Sequence, residues 1–190
     1  MTTLAPTTQT VPGYVAGTWD IDPVHSEVSF VVRHMVVSKV RGRFNEFEGT
    51  IVTSEDPLAS SVQATVVAGS VDTNQEQRDA HVRSADFLDV ETHPAITFHS
   101  TGLRPNGDDY VLDGELTIRR TTKPVSLDLE LNGFGPDPFG GTRVGFSATT
   151  EINRQDFGVS YNGPIPGGGV AVSEKVTITL EVEGVLNKSE

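Results

Sequence analysis

The chain predicts an all-β fold: an eight-stranded, antiparallel, up-and-down barrel with one short helix after the third strand. Three observations carry this. Apolar and polar residues alternate with period two through most of the sequence, the mark of strands with one buried face. Gly, Pro and Asn punctuate the alternation at short joins, which sets neighbouring strands antiparallel. A chain of 190 residues fits one all-β domain, and closure into a barrel removes the exposed edges of its sheet.

Strands are expected near residues 18–34, 40–52, 60–71, 94–101, 109–119, 124–133, 143–153 and 172–185. In the first, Trp19 and Ile21 are apolar at odd positions, but Val28, Phe30 and Val32 are even. A phase flip without a turn implies a bulge or kink, and Pro23 is a plausible cause. A second flip falls at Asn45, between Phe44 and Phe47. The clearest alternation is the last, with Val176, Ile178, Leu180 and Val182 opposing Thr177, Thr179, Glu181 and Glu183. Joins are expected at Glu55–Pro57, Pro105–Gly107, Thr122–Pro124 and Gly133–Gly141. Thr73-x-x-Glu76 has the form of a capping box and predicts a short polar helix from about 74 to 84. The Gly- and Pro-rich stretch 155–169 is long for a barrel join. It is either a lid over a ligand or a disordered excursion. Residues 1–16 read as a flexible Thr- and Pro-rich tail, and 17–190 as one barrel domain.

Composition removes several functions. Acids outnumber bases 26 to 14, for a net charge of −12, which disfavours nucleic acid and anionic membrane surfaces. A local basic spot at Arg119-Arg120-x-x-Lys123 reads as a solvated hairpin turn. There is no cysteine, so disulfides, thiolate metal sites and a cysteine nucleophile are excluded. No run is long and apolar enough for a membrane-spanning helix, so no membrane insertion is expected. The first sixteen residues show neither a basic n-region nor an apolar h-region, and a cytoplasmic location is the expectation.

Catalytic signatures are absent. There is no Gly-x-Ser-x-Gly elbow and no phosphate-binding Gly loop between a strand and a helix. His25 and Ser26 are adjacent on a strand and so point to opposite faces. The five histidines lack the spacing of a helix-borne metal pair, and neither metal nor cofactor is expected. Strand phase instead points Ser26, Val28, Phe30, Val32 and His34 into the barrel. His34 is there either a hydrogen-bonded core residue or a polar anchor for a guest. On the expected helix, Arg78 and His81 share a face. They either tie the helix to the rim or meet an anionic or carbonyl head group at the mouth. Aromatic content of 7% is low for a solidly packed barrel, and Ala64, Ala68, Gly114 and Ala148 on inward phases would leave room along the axis.

The ordered set Asp22-x-x-His25-Ser26, His34-Met35, Gly42-x-Phe44, Phe47-x-Gly49, Arg78-Asp79-x-His81, Ser84-x-Asp86-Phe87-x-Asp89, Pro94-x-Ile96-x-Phe98, Gly114-x-Leu116-Thr117-Ile118, Lys123-Pro124-Val125 and Asp156-Phe157-Gly158 resembles the YceI-like family. The resemblance runs from about 18 to 185. Leu88, where an aromatic is frequent, and Arg119-Arg120, where a small residue is usual, depart from the pattern. The resemblance implies a lipocalin-like barrel with an apolar tunnel that holds a polyisoprenoid or similar lipid for transport, storage or sequestration. The expected ligand-binding residues are Val28, Phe30, Val32, His34, Phe44, Arg78, His81, Phe87, Phe98, Leu112, Leu116, Phe146 and Ala148. No enzymatic role is expected. Two alternatives are an enzyme acting on a hydrophobic substrate through His34, Arg78 and His81, and a stress-response or interaction protein with a structural lipid. A homodimer is also compatible with the sequence.

Overall fold

The computed structural model describes residues 11–188. Strands β1 (Gly17–Ile21) and β2 (Glu27–His34) are two halves of one barrel strand. So are β3 (Ser38–Phe44) with β4 (Phe47–Thr53), and β5 (Ser61–Val67) with β6 (Val71–Asp72). Strands β7 (Ala95–Asn106), β8 (Asp109–Ile118), β9 (Thr121–Pro136), β10 (Thr142–Asn153) and β11 (Lys175–Leu186) are each continuous. All pairings are antiparallel between sequential neighbours, and β11 closes the ring by pairing with both β1 and β2. The expected eight-stranded barrel therefore stands, and helix α1 (Glu76–Arg83) follows its third strand.

Both phase flips are breaks in the ladder. Between β1 and β2, Asp22 N–H still donates to the Glu183 carbonyl at 2.8 Å, but Glu183 N–H donates to Ser26 Oγ at 2.9 Å. A hydroxyl thus stands in for a missing backbone acceptor. Ser26, expected in the lumen, is therefore engaged with β11, and His25 stands exposed against Asp22, 2.8 Å away. Between β3 and β4, Asn45 N–H and Glu46 N–H turn to the carbonyl and hydroxyl of Ser70 at 3.1 and 3.0 Å. A bulge against β10 leaves Asn132 outside the register, so that Leu131 and Phe134 both face inward.

Further expectations change. The join expected at Gly133–Gly141 is shorter, because Gly133–Pro136 pair with β10 and only residues 137–141 turn. The join at Thr122–Pro124 is strand: Pro124 faces Glu115 in the ladder, and the turn is Arg119-Arg120, with Arg119 in the left-handed region at φ 56°. The N-cap of α1 is Gln75, whose side chain accepts from Arg78 N–H, and not Thr73. Asn74 at φ 61° turns the chain between them, and Thr73 instead donates its N–H and hydroxyl to Asp79 at 2.8 and 2.6 Å. Gly114 leaves no free space, because the Phe98 ring lies over it; an added Cβ would strike that ring and come within 2.7 Å of the His99 carbonyl oxygen. Phe30 covers Gly42 in the same way. Ala68 is packed on a short 3-10 turn, outside the lumen wall.

One end of the barrel, its floor, is packed around Trp19. This residue is fully buried among Ile51, Val144, Leu131, Phe134, Val182 and Leu186, and its indole N–H donates to Thr53 Oγ1 at 2.8 Å. Of the expected tail, 1–10 lie outside the described residues. Beyond them, Val15 packs on the Trp19 cluster and Tyr14 donates to the Ser54 carbonyl at 2.6 Å. The opposite end carries α1 and the long connection from β10 to β11.

Candidate functional site

The barrel holds a cavity of about 640 Å³, within the range of small-molecule sites. Its wall is made by the inward phase of every strand. Strand β2 contributes Val28, Phe30, Val32 and His34, and β3 contributes Phe44. Phe98 comes from β7, Leu112 and Leu116 from β8, and Phe146 and Ala148 from β10. Arg78 and His81 on α1 and Phe87 just after it reach the cavity from the rim. All thirteen residues singled out in the sequence thus face one space. Among the described residues no carboxylate lines it, and the charged or imidazole side chains that do are His34, Arg78, His81 and Arg154.

All four of these stand at the end that carries α1 and the β10–β11 connection. His34 ends β2 and is exposed at the lip. Arg78 commits Nε to Thr73 Oγ1 at 2.8 Å and one terminal amine to the Thr73 carbonyl at 2.7 Å. It therefore ties the helix to the rim while remaining exposed toward the mouth. His81 Nε2 lies 2.8 Å from Asp86 Oδ2, and its ring meets Phe87 and Tyr161 edge-on at 5.0 and 5.1 Å. Phe87 and Tyr161 also contact each other at 5.3 Å, so three rings form one wall of the mouth.

The long connection is ordered by a residue that sequence reading did not flag. Arg154 is only 5% exposed and donates to four backbone carbonyls: Ser173 at 2.9 Å, Val159 at 2.7 Å, Tyr161 at 2.8 Å and Val172 at 3.2 Å. Burial pushes its guanidinium pKa down, with Glu174 opposing the shift. Asn162 adds a second stitch: its side chain donates to the Val172 carbonyl and accepts from Ala171 and Val172 N–H. Arg119, one of the departures noted above, donates to the Gly158 carbonyl at 3.1 Å and the Phe87 carbonyl at 3.4 Å, fastening both rim segments to the β8–β9 turn. Nothing in the residue types announces these roles, because each acts on backbone carbonyls that are distant in sequence.

On the outer surface near the floor, Asp22, His25 and Glu183 come together as metal ligands might. Arg143 occupies that position: its Nη1 is 2.7 Å from Asp22 and 2.8 Å from Glu183, and its Nε is 2.9 Å from Asp137. The Arg143 guanidinium, then His25, hold the Asp22 carboxyl far below the usual range.

A closed antiparallel barrel with an apolar lumen and a polar rim at one end defines the class of β-barrel proteins that can enclose a hydrophobic guest. Within that class the YceI-like domain model matches residues 19–184, and the chain belongs to that family. A UPF0312 protein of Pectobacterium atrosepticum is 41% identical over 172 residues, covering 90% of this chain and 86% of the relative. Among solved structures, BcnA of Burkholderia cenocepacia superposes with a TM-score of 0.75 at 23% identity, over 86% of this chain and 98% of that one. A polyisoprenoid-binding domain from Saccharophagus degradans, implicated in plant cell wall breakdown, reaches 0.68 at 14% identity, over 91% of this chain and all of that one. At these identities the structures establish the shared fold.

Proposed function

We propose that the barrel binds a long apolar guest of the isoprenoid class in its lumen and carries, stores or sequesters it without chemical change. The observation that carries this reading is the wall of the cavity: largely apolar, with no carboxylate among the described lining residues, and with its cationic and imidazole groups gathered at the end that carries α1. Such a distribution suits a guest with a hydrocarbon body and a polar end. The hydrocarbon contributes about 25 cal/mol per Å² of buried apolar area before association costs. Arg78 and His81 would meet a carbonyl or anionic head group, since a guanidinium offers several donors at once. The polyisoprenoid-binding description of the Saccharophagus domain supports the guest class.

The test is extraction of the purified protein with organic solvent and mass spectrometry, followed by uptake of an isoprenoid quinone supplied in detergent. Retention or uptake of an intact chain is expected. An empty extract together with no uptake overturns the proposal, and a chemically altered chain overturns the binding-only reading. Ala148 packs beside Leu112 and Leu127 in the wall, so Ala148→Trp should fill the lumen and reduce uptake by roughly tenfold or more while the barrel still forms.

A further inference from the structure

The turn between β2 and β3 carries three consecutive apolar residues that the lumen does not use. Met35, Val36 and Val37 are 44%, 76% and 84% exposed. Their backbone is also unfavourable. Met35 has φ 51° and Val36 φ 61°, and Val37 N–H donates back to the His34 carbonyl at 3.1 Å. Two central residues with positive φ make this a turn of the kind that favours Asn-Gly. A β-branched valine is sterically strained there. Water exposure and backbone conformation therefore both disfavour this sequence at this place, and strain kept at a surface tip points toward a use.

The stem below the tip repeats the pattern. Arg33 faces Lys39 directly across the ladder, and Arg41 follows opposite Val31. All three are exposed, and none is in an ion pair with a described carboxylate. Like charges placed directly opposite one another weaken a hairpin. In a protein with a net charge of −12, an unpaired cationic collar beneath an apolar tip is a local inversion of the surface. The tip adjoins His34, which lines the cavity mouth; Met35 N–H donates to the Ala171 carbonyl at 3.0 Å and His34 bridges Val172, so the connection carrying Tyr161 and Val170, 39% and 46% exposed, lies alongside the tip.

We propose that the Met35–Val37 tip docks the mouth of the barrel onto an anionic lipid bilayer, with the valines entering the headgroup region and Arg33, Lys39 and Arg41 meeting the phosphates. Apolar side chains ringed by Lys and Arg are the pattern of interfacial binding, driven jointly by burial and by attraction to anionic lipid. A narrow projecting turn presents far less area than a stable dimer or protein interface requires, whereas a bilayer accepts a prong. The overall negative charge disfavours approach from a distance, but local charges govern contact once separation falls within a Debye length of about 8 Å at physiological salt. Docking would set the lumen opening against the phase in which a long apolar guest resides.

The test is flotation of the full chain with vesicles of phosphatidylcholine alone and of phosphatidylcholine containing phosphatidylglycerol. Binding to the anionic vesicles is expected, weakening with salt and on the order of a hundredfold stronger than to the zwitterionic ones, about fivefold for each of the three cations. Val36→Asn should melt at the same or a higher temperature, because Asn suits the left-handed position, yet lose roughly tenfold in vesicle affinity. Arg33→Gln with Lys39→Gln should lose about fivefold for each charge removed while relieving the cross-strand repulsion. Loss of binding with retained or raised stability is a result that a purely structural role for the tip does not produce. No binding of the wild-type chain to anionic vesicles overturns the proposal. So does wild-type binding by Val36→Asn, or a dimer in sedimentation equilibrium that Val36→Asn dissolves while vesicles are ignored. The vesicles contain no isoprenoid, so the outcome is independent of what the lumen holds.

Discussion

At the floor of the barrel Trp19 is fully buried against side chains of β4, β9, β10 and β11, whereas at the mouth Tyr161, Val170 and the Met35–Val37 tip stand in water. The floor is held by apolar packing, with its one buried indole N–H matched to Thr53 Oγ1. The mouth is held mainly by side chains bonded to distant backbone carbonyls: Arg154 to four of them, Arg119 to two, Asn162 to one. The difference separates two tasks. Packing is cooperative and non-directional, and fixes the barrel as a whole. Stitching orders one segment at a time, so the mouth is expected to lose protection separately from the floor.

The largest expected effect breaks the floor. Trp19→Ala should cost about 3–5 kcal/mol in denaturant unfolding, the range for deleting a buried aromatic side chain. The indole loss also leaves Thr53 Oγ1 short of one donor while its bonds to Gly17 N–H and the Val15 carbonyl persist. A cost below 1 kcal/mol would mean that the floor is not the stabilising end.

A smaller and more local effect is expected at the mouth. Arg154→Met keeps much of the side chain's length and removes all four bonds, leaving the carbonyls of Ser173, Val159, Tyr161 and Val172 to find other partners. The cost should be about 2 kcal/mol or more. Its distribution matters more than its size. Hydrogen exchange should speed up through residues 155–174 and stay slow around Trp19. Equal loss of protection at both ends would show that mouth and floor are one cooperative unit.

The two ends also differ in how far the sequence revealed them. Alternation alone located the barrel wall: both phase flips, at Pro23 and Asn45, fall where the ladder breaks, and the inward set from Val28 to Ala148 faces one cavity. Period-two patterning reports burial directly, so the wall was legible. The exceptions were local. Thr73-x-x-Glu76 looked like a capping box, but the left-handed Asn74 between Thr73 and Gln75 gave the cap to Gln75. Gly114 looked like open space, but its missing side chain accommodates Phe98 from the next strand. The mouth was largely hidden for a different reason. Arg154 and Asn162 act on main-chain carbonyls, and a carbonyl carries no residue identity for a pattern to detect. The motif Asp22-x-x-His25-Ser26 was visible, yet its meaning is mechanical: Ser26 repairs the β11 ladder and Asp22 receives Arg143.

The smallest expected effect is a pH dependence that reverses the ranking of the two ends. Near the floor, Arg143 first and His25 second hold Asp22 far below its ordinary pKa, and Asp137 is lowered first by the Phe139 N–H and then by Arg143. Arg143 is itself raised by Asp22 and Glu183, so it keeps its charge throughout. A carboxylate with a depressed folded pKa contributes stability that is complete above its unfolded value of about 3.9 and is lost as pH falls through the folded value. The melting temperature should therefore decline below about pH 4, and Arg143→Gln should make that decline shallower. Asp113, held at about 2 by Arg104 and then Ser126 on the outer wall, is the internal control: Arg104→Gln should flatten only the portion of the curve between about 4 and 2. These ion pairs are solvent-accessible, so molar salt should shrink both effects. The carbonyl stitches of Arg154 do not titrate in this window. Acid should thus raise exchange first around Asp22 and the 137–141 turn and leave 155–174 protected, the opposite of the pattern set by Arg154→Met. Simultaneous loss at both ends in acid would rule out Asp22 and Arg143 as the source of the pH dependence.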